Sequence, residues 1–349
     1  MTGFGQYYYQ GKWMTVWGPS KNVNPDLRWE KGINWNIGLD FSVLKNRLSG
    51  SINYFNRTQQ DLLGDYNVSI PPYLYSSTFA NVGTMKNSGV EIELKGTVVD
   101  KKDFTYSTTV VGSTMDNRFV SFSNSEYKGQ KFYYVASTED PFPFHYLQRI
   151  EEGERIGTFY MWKHAGFNSS GEWVIYDRNG EYKMGMDATD EDMVKVGNGL
   201  PKFTASWSNY FRYKNFDLNL FFRGAFGFDI FNIHEFYYGL PGMTSNVMKL
   251  AYTKNADIKG NPLVCDYFLE KGDYFKLDLV TLGYTFKFNN KYIDSLRLSL
   301  TGKNLLTITS FSGVDPSTYS TNGLTPGATG SRNYYPTTRQ FLFGLQVGF

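Results

Sequence analysis

The chain ends on Gln340-Phe341-Leu342-Phe343-Gly344-Leu345-Gln346-Val347-Gly348-Phe349. The odd-numbered members, Phe341, Phe343, Leu345, Val347 and Phe349, are all apolar, and only Leu342 breaks the small or polar set between them. Side chains alternate across a strand, so this is a strand with one greasy face that reaches the last residue. A soluble protein rarely leaves an aromatic terminus on such a strand. A transmembrane β-barrel does, because its outer face meets lipid and aromatics line the membrane boundary.

The alternation recurs along the chain. Ile33, Trp35, Ile37, Leu39, Phe41 and Val43 share a face against Asn34, Asn36, Asp40 and Ser42. Leu48, Ile52 and Tyr54 oppose Ser49, Ser51 and Asn53. Val90, Ile92, Leu94 and Val98 oppose Glu91, Glu93, Lys95 and Thr97, a run of charges that suits a wet lumen and is costly in a dry core. Phe203 to Tyr213, Phe216 to Phe226 and Leu296 to Leu300 alternate likewise, with Arg212, Arg223, Arg297 and Lys303 on their polar sides. Phe104 to Thr114 is a further strand; Ile156 to Ala165 and Trp173 to Tyr176 are shorter ones. Phe275, Leu277 and Leu279 are out of phase with Leu282, Tyr284, Phe286 and Phe288, so a β-bulge is predicted near Val280 and Thr281. The total is about eleven strands.

Composition supports a barrel over a helical membrane protein. The 349 residues are 41% hydrophobic and 18% aromatic, with a mean hydropathy of −0.41. No stretch approaches the ~20 apolar residues of a spanning helix. A net charge of +2 gives no reason to expect nucleic acid. A single cysteine, Cys265, allows no internal disulfide and is assigned no chemistry. The opening residues lack a basic region followed by an apolar stretch, so no signal peptide is read there. Because an outer-membrane protein needs export, upstream sequence is expected to be missing.

Short and long connections alternate. Lys45-Asn46, Asp100 to Asp103, Asn168 to Gly171, Lys214-Asn215 and Asn289 to Tyr292 are short. Residues 58–85, 117–153, 178–200, 229–272 and 306–338 are long. That asymmetry marks periplasmic turns on one rim and extracellular loops on the other. Phe104, Tyr106, Tyr213, Phe216, Phe286, Phe288 and Phe349 gather beside the turns as a girdle. By this parity residues 1–31 are the tail of another outside loop, and the strands begin mid-barrel. Unpaired backbone groups cannot face lipid, so these strands must belong to a larger closed barrel or pair with something.

The motifs NPDLRWEKGINWNIGLDF (24–41), RLSGSINYFNRTQQDLL (47–63), NVGTMKNSGVEIEL (81–94), GTFYMWKHAGF (157–167), GNGLPKFTASWSNYFRYKNFDLNLFFRGAFG (197–227), DYFKLDLVTLGYTF (273–286), LRLSLTGKNLLTIT (296–309) and YYPTTRQFLFGLQVGF (334–349) run from end to end. In this order they resemble the C-terminal half of SusC/RagA-type TonB-dependent outer-membrane transporters. The resemblance implies an all-β, antiparallel fold forming part of a plugged barrel of about 22 strands. It implies import of glycans or peptides, a SusD-like lipoprotein over the outer mouth, and TonB acting through an N-terminal plug and coupling box. Neither plug nor box is found in residues 1–349, which read as the C-terminal part of the barrel and would not transport alone. Relatives often carry a calcium-loop-like run where this chain has Asp177-Arg178-Asn179-Gly180-Glu181-Tyr182. Tyr182 replaces the glycine at loop position six, and Ala188 stands at position twelve. A metal held by Asp177, Asn179 and Glu181 is therefore disfavoured against a plain Asn-Gly turn.

No catalytic constellation is read, and no cofactor is expected. His145, His164 and His234 lie far apart without metal-binding spacing. The Gly-rich 324–333 run has no following helix pattern, which argues against a phosphate cradle. Aromatics in the loops, Tyr8, Trp13, Trp17, Tyr73, Tyr75, Phe236 and Tyr237, are candidate substrate contacts, because flat rings stack on sugar faces and anchor binding surfaces. The plainer reading makes them a girdle or loop packing. Glu91, Glu93, Lys95, Arg212, Arg223, Arg297 and Lys303 are expected to face the lumen. Glu139, Asp140, Glu151, Glu152, Asp190, Glu191 and Asp192 are expected to form a solvated face. Two alternatives stand beside the importer: a barrel remnant that only binds or assembles, and a soluble β-sandwich enzyme acting on glycans.

Overall fold

The computed structural model describes residues 2–123, 127, 130–140, 142, 144–242, 246–289, 292–319, 323–328 and 337–349. In chain order it opens with a hairpin of β1 (Thr2–Tyr9) and β2 (Lys12–Pro19), turning at Gln10 and Gly11, both at positive φ. Four long strands follow: β3 (Lys31–Val43), β4 (Leu48–Asn67), β5 (Ser77–Asp100) and β6 (Phe104–Thr114). A run of short strands comes next: β7 (Asp116–Ser121), β8 (Phe132–Ser137), β9 (Tyr146–Glu151), β10 (Thr158–Met161), β11 (Lys163–Phe167), β12 (Trp173–Tyr176), β13 (Tyr182–Met184) and β14 (Val194–Asn198). Then β15 (Phe203–Tyr213) and β16 (Phe216–Phe226) return to the main sheet. After them come β17 (Asp229–Phe231), helix α1 (Ile233–Tyr238) and β18 (Leu269–Lys271). The last strands are β19 (Tyr274–Lys287), β20 (Ser295–Thr309) and β21 (Gln340–Gly348).

The main sheet is an antiparallel wall in the order β21-β20-β19-β16-β15-β6-β5-β4-β3, with β7 alongside β5. Among the described residues the path holds nine strands, not eleven. Residues 156–165 and 173–176, expected in the wall, instead build two small sheets, β14-β10-β9-β8 and β11-β12-β13. The parity survives because a pair of strands was removed. The turn at 168–171 therefore belongs to the loop region and not to the rim of short turns. Residues 58–85 are mostly not loop: β4 and β5 are 20 and 24 residues long. Only about 9–11 residues are needed to cross a bilayer, so both strands project well beyond it. Residues 1–31, expected as loop, contain the β1–β2 hairpin. The connection at Asn289 to Tyr292 and the 324–333 and 334–349 runs lie partly outside the described residues.

Sidedness is set by register. One row of partners runs Phe41, Gly50, Leu94, Val110, Trp207, Phe222, Leu277, Leu306 across the wall. A neighbouring row on the opposite face runs Ser42, Ser49, Lys95, Thr109, Ser208, Phe221, Leu279, Lys303, Gln340. Beside the short turns, Phe104, Tyr213, Phe216, Tyr284, Leu298 and Leu345 form an apolar row. The large apolar side chains of the wall point outward: Trp35 is 65% exposed and Phe343 71%. They are not sealed into an interior, as a β-sandwich would require. The bulge sits at Asp278, two residues before its predicted place, and turns Leu279 to the polar face.

The buried core lies at the other rim. One cluster joins Leu147, Phe159, Trp162, Trp173, Phe236 and Phe268 from the long loops. A second packs Tyr66, Ala80 and Val82, from the projecting ends of β4 and β5, against Phe119, Phe122 and Ile150. The long loops thus form a folded body on top of a thin wall.

Candidate functional site

Two surfaces come together: the polar face of the wall and the loop body above it. All seven predicted lumen residues, Glu91, Glu93, Lys95, Arg212, Arg223, Arg297 and Lys303, share the polar face by register. Some are held. Arg297 Nε and Nη2 donate to Asp217 at 2.9 and 2.5 Å, a two-pronged pair across β19. Gly283 lies between them, where a Cβ would collide with both partners. Arg223 Nε donates at 2.8 Å to Asp278, the residue at the bulge. Arg212 donates to Thr105 Oγ1 at 3.0 Å. Among the described residues, no ion pair engages Glu91, Glu93, Lys95 or Lys303. Arg223, Asp278, Lys303 and Thr338 border one cavity of about 610 Å³ on this face.

Residues 310–319 and 337–339 lie over the upper part of the same face. Lys276, 1% exposed, donates to Asp315 at 2.9 Å, and Asp315 also accepts from Ser317 and Thr337. Burial disfavours the Asp315 carboxylate, but the Thr337, Lys276 and Ser317 donors outweigh it and hold its pKa below the ordinary value. Farther along, Pro326 O accepts from Gln148 Nε2, and Gly327 O accepts from the Phe231 amide, which locks this loop to the rest of the body.

The candidate aromatics separate. Tyr8, Trp13 and Trp17 stay exposed on the hairpin, with Tyr8 and Trp13 at 5.2 Å between ring centroids. Tyr73 is half-buried. Tyr75 is a structural tie: its hydroxyl donates to Pro19 O at 2.5 Å, while Asn22 bridges the same two segments. Phe236 and Tyr237, each 1% exposed, are core residues of α1 and not surface rings. Phe236 also borders an aromatic cavity of about 360 Å³ with Phe142, Trp162 and Trp173, whose mouth carries Glu172 and Lys259. Asp177 is spent within its own turn, accepting from the amides of Asn179 and Glu181 at 2.8 Å. No group of three or more metal-capable side chains occurs among the described residues. His145 and His164 are pushed below the ordinary imidazole value chiefly by burial, which keeps them neutral at pH 7. Burial raises the Cys265 thiol, so it is inert. Asp192, expected in solvent, is 6% exposed and paired with Lys183 at 2.7 Å.

Residues 1–305 match the family described as TonB dependent receptor-like, beta-barrel. The chain belongs to this family. It is similar to TonB-dependent receptor P3 of Formosa agariphila, 29% identical over 94% of this chain and 35% of that protein. It is similar to TonB-dependent receptor SusC of Bacteroides thetaiotaomicron, 25% identical over 99% of this chain and 34% of that one. Among solved structures it superposes on the RagAB peptide transporter with a TM-score of 0.76 at 22% identity, covering all of this chain and 38% of that chain. The open-open state of the RagAB importer gives 0.77. The chain thus spans about a third of the length of these relatives. The TonB-dependent receptor fold accounts for a wall that is apolar outside, and no described helix is long and apolar enough to cross a membrane.

Sequence reasoning missed the partners Asp278, Lys276 and Asp315. The bulge hid the first, and the others meet only when the loop folds back. It also missed an aromatic face on β8 to β10, although Phe132-Tyr133-Tyr134 carried the signal.

Proposed function

We propose that the chain is part of the barrel wall of an outer-membrane importer for glycans or peptides. Its apolar face meets lipid, its turn rim faces the periplasm, and its loop body lies outside. A SusD-like lipoprotein covers the loop body. TonB acts on a plug in the remainder of the polypeptide, and solute passes along the polar face. The observation that supports this reading is the register itself, which puts mostly apolar rows on one face of the wall and mostly polar rows on the other. Glu91, Glu93, Lys95 and Lys303, which have no ion-pair partner among the described residues, would meet the plug or the solute.

Single cysteines in the full-length protein test the placement. A fluorophore at Trp35→Cys or Leu345→Cys should be quenched by spin-labelled lipid, and one at Glu93→Cys by a water-soluble quencher. The opposite pattern sinks the reading. Replacing Glu91, Glu93 and Lys95 with alanine should reduce uptake while leaving barrel assembly intact.

A further inference from the structure

We propose that the exposed face of the small sheet β14-β10-β9-β8 is a binding platform for the ring faces of a neutral oligosaccharide. The proposal rests on the reading above, which places this loop sheet at the outer mouth. Phe132, Tyr134, Phe144, Tyr146 and Tyr160 collect there around Arg149. Tyr134 and Tyr146 stack at 5.2 Å and 14°. Phe132 meets Tyr134 edge-on at 5.4 Å, and Phe144 meets Tyr146 edge-on at 4.8 Å. The Arg149 guanidinium lies 3.5 Å from the Tyr160 ring centroid and 4.6 Å from that of Phe132. The opposite face of the sheet is committed: Ile150, Tyr133 and Val135 pack in one core cluster, and Phe159 and Met161 in the other. Tyr160 packs partly against the loop core, while Phe132, Phe144 and Tyr146 remain 42%, 61% and 39% exposed.

Three features select the ligand. The rings are flat, apolar and mutually braced, so they are ordered before anything binds, which lowers the entropic cost of capture. The charges around them cancel: Arg149 pairs with Glu151 at 2.7 Å, and Lys195 with Glu154 at 2.6 Å. A polyanion or polycation therefore gains little here. The surface is also the face of a sheet and not its edge, so side chains and not backbone groups project from it. An extended peptide, which binds through main-chain hydrogen bonds to an edge, finds no partners on it. A pyranose suits it: the C–H face stacks on a ring, and the hydroxyl rim meets tyrosine hydroxyls and ion-paired side chains.

The test uses the full-length protein in detergent with isothermal titration of malto-, cello-, laminari-, xylo- and mannohexaose. At least one should bind, and Phe144→Ala with Tyr146→Ala should weaken it by about tenfold or more. Phe144→Leu keeps apolar area but loses the flat ring, and it too should weaken binding. Circular dichroism and heat-modifiability report whether the variants fold. The proposal is overturned if no hexasaccharide binds, or if the folded double variant binds as the parent does. It is also overturned if the variants lose a co-purifying protein while sugar binding stays intact, which would make the face a protein-docking surface. The quenching experiment does not involve sugar, so failure of the importer reading is distinguished from failure of this one.

Discussion

At the scale of single residues, the loop body spends charge on holding itself together. Asp192 is the clearest case. Lys183 donates to its Oδ2, as do the Thr189 amide and hydroxyl, at 2.7, 2.9 and 2.8 Å. These partners, led by Lys183, lower its pKa from 3.8 to about 2. A folded-state value below the ordinary one stabilises the fold at pH above that ordinary value. The contribution fades as pH falls from about 3.8 to about 2. It amounts to about 2 kcal/mol at neutral pH. Asp192→Asn should cost about that much in the local stability of residues 178–198. Hydrogen exchange at pH 7 should show the segment opening more readily, and the difference from the parent should vanish in strong acid. The sequence placed Asp192 in a solvated acidic run. A carboxylate's neighbours depend on where a distant turn lands, and no spacing rule reaches Lys183 across the intervening turn.

At the scale of elements, alternation was enough to read the wall strands and their greasy faces, because a strand's two faces follow from period two alone. It failed in two ways. Ile156 to Ala165 and Trp173 to Tyr176 look like wall strands in sequence, since a short apolar run has the same pattern in a wall as in a small packed sheet. Around Asp278 the phase change was visible, but its position was not. The bulge falls at Asp278, ahead of Leu279, so Leu279 does not belong to the apolar run that alternation assigns it to, and Asp278 is paired with Arg223 there. Gly283 shows the same dependence on neighbours. The paired row requires an open position for Arg297 to reach Asp217, so Gly283→Leu should break the pair. The loss should be about 1.5–3 kcal/mol, the range for hydrogen bonds to charged groups. Heat-modifiability on gels should move to lower temperature, while Gly242→Ala, at an open loop position with nothing near its Cβ, serves as a control for handling and not for strain.

At the scale of the molecule, the wall has two ends. Among the described residues, β3 pairs only with β4 and β21 only with β20. Bare backbone at either edge is costly in lipid, several kcal/mol per unpaired group. Expressed by itself, the chain is expected to aggregate or to pair through these edges. Expressed with the remaining barrel strands that the proposed function calls for, it should give a discrete heat-modifiable species. A monodisperse, bilayer-inserted product from the chain alone would contradict this.

Order along the chain determined the antiparallel all-β class, the two faces of each wall strand, the rim of short turns and the rim of long connections. These follow from local periodicity and from loop length, which are one-dimensional. Only the tertiary structure decided that the wall has nine strands on its path, that the long loops fold into a core of their own, and that Phe236 and Tyr237 are interior. It also placed Phe132, Tyr134, Phe144, Tyr146 and Tyr160 on one face. Those outcomes depend on which distant segments pack together, and side-chain contacts between distant segments leave no period in a sequence.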